Sequence, residues 1–556
     1  MMKGISQHRP KLGLQGPVIA WQDSWAGEFS DEIMRTGTGS VYPSQDPTPT
    51  ATEFVHALKD MGAEFYVHHM FPNLRGQSQM LEDMVQHDMD ICLGNEYGNI
   101  NGPYVEGTNR YDVPDGPLLE AARSGKLIGL LYDEPAHLQI NAGQYRKDGF
   151  FPHWGKTEGL TLSESNKKVF SAVAARVRHV RKLIEEAGMD PGAAPLIAEH
   201  VFPVMFHVHA RGGMLVCPKT MKESFQPLQL STALGAAKQY NRKMWICADL
   251  WGPDVGPWFT RTSGFPGHSP EEYASALKMS YYMGPTHLFT ENIDVLLKYQ
   301  NKQFLKTEFG EVWDEFVHKF VPENPISWTH LQAEPDIVFI HSDDSNYGQN
   351  ERLFGNPSLA APETTQSIFH VWHLLSHGTI PAHGSCMHIS GYDFPRHRLK
   401  QEIPSEKYPL EVGPIWGSER QIHPLFYPLN NVLVYDNFVE EQQIGNPKLI
   451  LVAGSNLSSE TLNAIRNKAN SGAIVIIASW LTPKQWMKSG RVGKGLWVVT
   501  EDFLHDYRVS EIVKPHLGND DCWVQRFGDQ EVRIYKGDPF GSTLDFEVMN
   551  KIITTY

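Results

Sequence analysis

The chain has 556 residues, of which 41% are hydrophobic and 11% are aromatic. One hydrophobic core rarely grows beyond about 250–300 residues, so this length predicts two domains. The 49 basic and 64 acidic residues give a net charge of −15, and no basic stripe is present that would neutralise phosphates. The composition therefore argues against a nucleic-acid partner.

Cysteine usage and the N-terminus bear on the cellular setting. The five cysteines are an odd number without a CxxC pair, which predicts buried free thiols instead of a disulfide framework or a zinc site. The first ten residues lack the apolar core of a signal peptide, and no run of about 18 apolar residues occurs. We expect a soluble protein without a membrane partner, either cytoplasmic or, if a signal has been removed, periplasmic or secreted.

Short apolar segments alternate with helical patterns through the first 330 residues. The strand-like segments are Val18–Trp21, Glu64–His68, Asp90–Gly94, Leu127–Tyr132, Leu196–Ala198, Met214–Cys217, Lys243–Ala248 and His287–Thr290. Eight strands separated by helices or long loops predict a (β/α)8 TIM barrel over residues 1–330. Met214–Cys217 follows its predecessor too closely for a full helix. If it is not a barrel strand, the strand before Glu291 is the seventh instead of the eighth.

The strand pattern restarts after Pro325. Near-continuous apolar runs are typical of a parallel sheet that is covered on both faces. Five such runs follow, at Asp336–His341, Val432–Tyr435, Leu449–Ala453, Ala473–Ala478 and Leu496–Thr500. We predict a doubly wound, flavodoxin-like α/β domain over residues 331–556, with a short C-terminal β segment at Glu531–Tyr535.

The second domain resembles a known module. The run from Leu449 to Leu462, followed by Ala464–Ile477, looks like the amidotransferase-like domain that follows the barrel in trimeric beta-galactosidases. Active glutamine amidotransferases carry a nucleophilic cysteine on a sharp turn, but no cysteine lies between Cys386 and Cys522 here. The resemblance therefore implies a structural domain that supports a homo-oligomer.

The barrel is similar in plan to the TIM-barrel clan of retaining glycoside hydrolases. In that clan a glutamate after strand four is the acid/base, usually preceded by asparagine, and a glutamate after strand seven is the nucleophile. The resemblance implies Glu134 as acid/base and Glu291 as nucleophile. The sequence departs from the pattern at Asp133, where asparagine is expected.

Two carboxyl groups suit this reaction, because one donates a proton to the leaving oxygen while the other attacks the anomeric carbon or activates water. Asp249 is the main rival for the second role, and Glu199 is the next. Further residues at strand ends are expected to contact the carbohydrate substrate; with these two they are Trp21, Asp23, Trp25, His68, His69, Asn95, Glu96, Asp133, Glu199, His200, Asp249, Trp251 and Asn292.

Two other function classes stay open. His207 and His209 form an HxH pair, the spacing by which amidohydrolases place two imidazoles on one metal, and His68, His69, Glu199 and Asp249 would complete such a site. A catalytically silent carbohydrate-binding barrel would share the aromatic lining without needing an acid pair.

A nucleotide cofactor is not expected, because Gly212–Gly213 and Gly252–Gly256 fit no phosphate-binding fingerprint. Ser455 lies on an elbow-like turn but lacks the flanking pattern of a hydrolase nucleophile. The main prediction is a glycoside hydrolase that uses no metal or cofactor.

Overall fold

The structure is a computed structural model, and it describes residues 7–16, 50–69, 77–94, 113, 115–133, 157, 159–200, 205–220, 227–250, 269–291, 293–342, 363–380, 426, 428–538, 541 and 543–550. Eight parallel strands close into a barrel in sequence order. They are β1 (Lys11–Gly16), β2 (Phe65–His69), β3 (Asp90–Gly94), β4 (Leu127–Asp133), β5 (Leu196–His200), β6 (Leu215–Thr220), β7 (Trp245–Asp249) and β8 (His287–Glu291). The predicted TIM barrel is confirmed.

Helices follow the strands around the barrel. They are α1 (Ala51–Asp60), α2 (Gln77–Gln86), α3 (Asp115–Arg123), α4 (Leu162–Glu186), α5 (Phe206–Gly212), α6 (Pro227–Tyr240), α7 (Pro270–Tyr282) and the short α8 (Ile293–Leu296). Local sequence explains where several begin, because a side chain accepts a bond from an otherwise unpaired N–H group of the first turn. Ser269 accepts such a bond from the N–H of Glu272 at 3.1 Å, and Pro270 occupies the first turn of α7.

Two barrel strands have other bounds in the structure than the sequence predicts. The first strand is Lys11–Gly16, while the predicted segment Val18–Trp21 lies outside the described residues. The doubtful segment Met214–Cys217 belongs to a true barrel strand, β6, that continues to Thr220. The seven-residue helix α5 is long enough to return the chain to the sheet. Glu291 therefore ends strand eight, and strand seven ends at Asp249.

The lower part of the barrel interior is a closed apolar layer. Its side chains come from seven strands and include three thiols; the buried members are Phe65, Val67, Cys92, Leu131, Ile197, Leu215, Cys217, Trp245, Cys247 and Phe289. Side chains alternate along each strand, so the next inward-facing positions toward the carboxyl ends lie above this layer. Cys92, Cys217, Cys247 and Cys522 are buried and free of disulfides, as predicted, while Cys386 lies outside the described residues.

A hairpin, β9 (Leu297–Gln300) and β10 (Gln303–Lys306), leads into α9 (Glu308–Glu315), a π-helical turn at Phe316–Phe320 and the short α10 (Val321–Glu323). A 3₁₀ turn follows at His330–Gln332, close to the predicted domain boundary. The exact division into two domains stays a prediction.

A six-stranded sheet follows, in the order β12-β11-β13-β14-β16-β15, and only β15 is antiparallel to its neighbour. The first five strands have the 2-1-3-4-5 order of doubly wound folds, as predicted. This sheet and its helices comprise β11 (Ile337–His341), α11 (Glu363–Leu375), β12 (Val432–Asp436), α12 (Glu441–Ile444), β13 (Leu449–Val452), α13 (Ser459–Ser471), β14 (Ile474–Ala478), β15 (Gly490–Val492), β16 (Gly495–Thr500) and α14 (Tyr507–Val513).

The chain ends in a small antiparallel sheet of β17 (Cys522–Phe527), β18 (Gln530–Lys536) and β19 (Leu544–Asn550), which contains the predicted β segment. Within the described ranges, no helix combines the length and the apolar character that a bilayer crossing requires.

The barrel packs directly on the edge strand β12 of the second sheet. Gly235 of α6 lies against the backbone of Val434, so close that a Cβ there would overlap the Val434 carbonyl. Asp436 is buried at the end of β12, where it accepts hydrogen bonds from Gln239 at 2.6 Å and from Tyr240 at 2.5 Å. Arg211 of α5 approaches the same carboxylate at 3.3 Å. Backbone contact and buried polar bonds thus join the two parts.

Gly235→Ala is expected to destabilise the protein by about 1–3 kcal/mol or more, because the added methyl must push helix and strand apart. Gly490→Ala is the matched control, since no described atom lies within 4 Å of a Cβ at that position. Urea unfolding of both variants measures the difference, and equal stabilities would contradict the close packing of α6 on β12.

Candidate active site

Five charged side chains converge at the carboxyl ends of neighbouring barrel strands. Asp133 ends β4, Asp249 ends β7 and Glu291 ends β8, while Glu199 and Lys219 are the last-but-one residues of β5 and β6. Strand register brings them to one level, because Asp133 pairs with Glu199 and Asp249 pairs with Glu291. The carboxyl ends of the strands are where TIM-barrel enzymes carry their active sites.

The ammonium of Lys219 lies at the centre of this cluster. Its Nζ is 2.7 Å from Asp133 Oδ1 and 2.7 Å from Glu291 Oε2. Two further carboxylates lie slightly farther away, with Asp249 Oδ2 at 3.4 Å and Glu199 Oε2 at 3.7 Å. The contact with Glu291 is a charge-assisted hydrogen bond, whereas the other three contacts are ion pairs. We call these five side chains the strand-end cluster.

The carboxylates of the cluster differ in exposure. Asp133 and Glu291 each keep 7% of their surface accessible, whereas Glu199 and Asp249 have none. A group that exchanges a proton with a substrate, or attacks it, has to be reachable from the pocket. Of the four carboxylates in the cluster, Asp133 and Glu291 are therefore the candidates for reaction with a substrate.

Burial also sets the proton affinities within the cluster. Burial raises the pKa of Glu291 to about 8, and the Asp249 carboxylate adds to the rise while Lys219 opposes it. Burial raises the pKa of Glu199 well above its ordinary range, against the lowering effect of Lys219. For Lys219 burial alone would lower the pKa, but the surrounding carboxylates raise it well above its usual value. The ammonium therefore stays charged, and Glu291 mostly holds a proton at neutral pH.

Three members of this region offer ligand atoms for a metal ion. Glu199, Cys247 and Glu291 place a carboxylate oxygen, a thiol sulfur and a second carboxylate oxygen within 4.8 Å of one another. The ammonium of Lys219 already contacts both glutamates, and burial raises the pKa of the Cys247 thiol well above its usual value. A metal ion would compete with that ammonium and would need the disfavoured thiolate.

The structure brings together Asp133, Glu199, Asp249 and Glu291 of the predicted site residues. His68 lies on β2, buried next to Tyr66, and His69 ends that strand. The other predicted residues lie outside the described part of the chain; they are Trp21, Asp23, Trp25, Asn95, Glu96, Glu134, Trp251 and Asn292. Their roles stay predictions.

The remaining predicted histidines are His200, His207 and His209, and they lie on the outer side of the barrel wall. His200 contacts His209 at 3.3 Å and packs edge-on against Phe206 of α5. His207 and His209 lie on helix α5, not at a strand end; His207 donates to the Val434 carbonyl at 3.0 Å, and His209 donates to the Met205 carbonyl at 2.8 Å. Their rings thus serve two different packing contacts instead of facing one metal position.

Lys219 is a member of the cluster that the strand pattern did not predict. The signal was present in Leu215-Val-Cys-Pro-Lys-Thr220, where the strand continues beyond Pro218 and places a lysine one residue before its end. The predicted segment stopped at Cys217, because proline normally interrupts a strand.

Neither a scan against protein-family models nor a search of curated proteins gives a match. Among solved structures, the chain is similar to beta-galactosidase from Bacillus circulans sp. alkalophilus, with a TM-score of 0.52, 8% identity, and coverage of 99% of this chain and 98% of that chain. Exo-beta-1,4-mannosidase Op5Man5 from Opitutaceae bacterium strain TAV5 has a TM-score of 0.47 and 10% identity, over 92% of this chain and 96% of that chain. At 8% identity, the likeness to the beta-galactosidase shows the fold. The likeness extends over nearly the whole of both chains.

The high proton affinity of Glu291 predicts a pH-dependent stability. Its pKa is raised from 4.5 to about 8 on folding, so its contribution is fully present below about pH 4.5 and is lost as the pH rises through 8. The free energy of unfolding of wild type, minus that of Glu291→Gln, is therefore expected to fall between pH 5 and pH 9. Urea unfolding at several pH values measures it, and parallel curves would contradict the raised pKa.

Proposed function

We propose that this protein is a glycoside hydrolase that cleaves a glycosidic bond in an oligo- or polysaccharide with a pair of carboxyl groups. The observation that carries the proposal is the pair Asp133 and Glu291, which contact one buried ammonium at the carboxyl end of the barrel. The full-length likeness in fold to a beta-galactosidase supports the same class of reaction.

The separation of the pair supports a retaining mechanism. Both oxygens lie 2.7 Å from the same nitrogen, so they are no more than twice that distance apart. Retaining glycosidases hold their two carboxyl groups about 5–5.5 Å apart, whereas inverting enzymes need about 6.5–9.5 Å to admit a water molecule. The pair thus fits direct attack by one carboxylate on the anomeric carbon.

The environments of the two groups support different roles. Glu291 carries a proton at neutral pH, which suits donation to the leaving oxygen. Asp133, in an ion pair with the charged ammonium, then supplies the carboxylate that attacks the anomeric carbon. The sequence-based assignment was Glu134 as acid/base and Glu291 as nucleophile. Glu291 takes part in both assignments, and Glu134 directly follows Asp133 in the chain.

Activity is expected on a panel of aryl glycosides and oligosaccharides that begins with β-galactosides, and it should persist in EDTA. Asp133→Asn and Glu291→Gln should each lower kcat/KM by about 10²–10⁴-fold, the usual contribution of a positioned acid or base. Asp83→Asn is the control, because Asp83 is a buried carboxylate on the outer helix α2, bonded to Thr52. Full activity of both cluster variants would contradict the proposal, and loss of activity in EDTA would indicate a metal site.

Azide distinguishes the two role assignments on substrates with an activated leaving group. A variant that lacks the nucleophile is expected to form a glycosyl azide of inverted configuration, because azide attacks the substrate directly. A variant that lacks the acid/base forms the retained product, because azide attacks the glycosyl-enzyme intermediate. We expect inversion with Asp133→Ala and retention with Glu291→Ala. Retained product with Glu134→Ala and inverted product with Glu291→Ala would restore the sequence-based assignment.

A further inference from the structure

We infer that Lys219 is the positioning residue of this site, whose ammonium bridges Asp133 and Glu291 across the barrel and supplies the positive charge that favours the ionised forms of both. The inference rests on the proposed function, and it adds a residue for which the glycosidase reaction itself offers no obvious role.

Barrel topology explains why a bridge is needed. The strands β4 and β8 lie opposite each other in the closed order, with three strands between them on either side. Asp133 and Glu291 therefore approach each other across the interior, not along neighbouring strands. Strand β6 lies midway between them, and a lysine is long enough to reach the middle from there. The two equal distances of 2.7 Å match that central position.

Charge balance explains why the bridge has to be a cation. Asp133, Glu199, Asp249 and Glu291 come from four strands and all lie within 3.7 Å of one nitrogen. The thiols of Cys217 and Cys247, on β6 and β7, also lie beside them. Several like charges in a buried space repel one another strongly, and without a positive charge they would have to take up protons.

The ammonium lies closer to two of the four carboxyl groups than to the other two. It donates a hydrogen bond to Glu291 Oε2 at 2.7 Å and forms an ion pair with Asp133 Oδ1 at the same distance. Glu199 lies farther away, at 3.7 Å, and burial raises its pKa well above the ordinary range. The ammonium thus favours negative charge on its two nearest carboxyl groups, one of which is Asp133, the nucleophile of the proposed reaction.

The effect of Lys219→Met on the pH–rate profile tests this inference. Methionine keeps an unbranched chain of similar length and removes the charge. An adjacent cation typically lowers the pKa of a carboxyl group by about 1–3 units. Loss of the cation should therefore raise the apparent pKa of both limbs of the pH–rate profile, the acidic limb set by the nucleophile and the basic limb set by the acid. We expect the whole bell-shaped pH–rate profile to move to higher pH by about one unit or more. The maximum of kcat/KM should fall at least about tenfold. Lys219→Arg, which keeps the charge, should leave the limbs near their wild-type positions.

Lys238→Met is the matched control, because Lys238 is a partly buried lysine on α6 that donates to the Ala333 carbonyl, away from the cluster. It should leave the pH profile unchanged. If Lys219→Met does not fold, Lys219→Met/Asp249→Asn removes one cluster carboxylate together with the cation and is measured in its place. Lower activity with an unmoved bell would show a merely structural role and overturn the inference.

A second readout is independent of catalysis. The loss of stability in Lys219→Met should be larger at pH 8 than at pH 5, because the carboxyl groups left without the cation take up protons in acid. A pH-independent loss, equal to that of Lys238→Met, would overturn the inference. If the stability difference depends on pH but no glycoside is cleaved, the proposed function fails while Lys219 keeps its role in ordering the carboxyl pair.

Discussion

The buried ammonium of Lys219 is the interaction on which this site depends. A closed eight-stranded barrel forces the ends of opposite strands toward a common centre, and here four of those ends carry acidic side chains. Charged carboxylates at that density are costly inside a protein, since each loses its hydration and repels the others. A single cation among them lets some stay ionised while burial makes others hold protons. The cluster therefore combines carboxyl groups of raised pKa with a cation that stays charged.

The layer beneath the cluster makes this arrangement effective. Phe65, Trp245 and Phe289 pack edge to face across the barrel and close its lower end, together with the thiols of Cys92, Cys217 and Cys247. Apolar and weakly polar atoms on one side keep the effective dielectric low, so charges act on one another more strongly than at an exposed surface. This explains why groups of one type, such as Glu199 and Glu291 in contrast to surface glutamates, have strongly raised proton affinities.

Much of this fold could be predicted from the sequence, because buried parallel strands are near-continuous apolar runs and seven of the eight barrel strands were recognised as such. The acids at strand ends were equally visible, including Asp133, Glu199, Asp249 and Glu291. The sequence could not predict which strand ends face each other in the barrel. It also could not predict which carboxyl groups have their pKa raised by burial. Lys219 was missed for a local reason, since Pro218 hides the continuation of its strand. The first strand was placed late, because the two glycines and the polar Lys11 and Gln15 interrupt its apolar pattern.

The second sheet contributes to the site from outside the barrel. Strand β6 is preceded by α5 and followed by α6, and both helices pack on the same edge strand β12. His207 and Arg211 of α5 reach Val434 and Asp436, while Gly235 and Gln239 of α6 reach the same two residues. The strand that carries Lys219 is thus held between two helices that share one support. A shift of β12 would move both helices together, and with them the nitrogen that lies 2.7 Å from both Asp133 and Glu291. Apart from any part in oligomer assembly, the second sheet therefore supports the strand that carries Lys219.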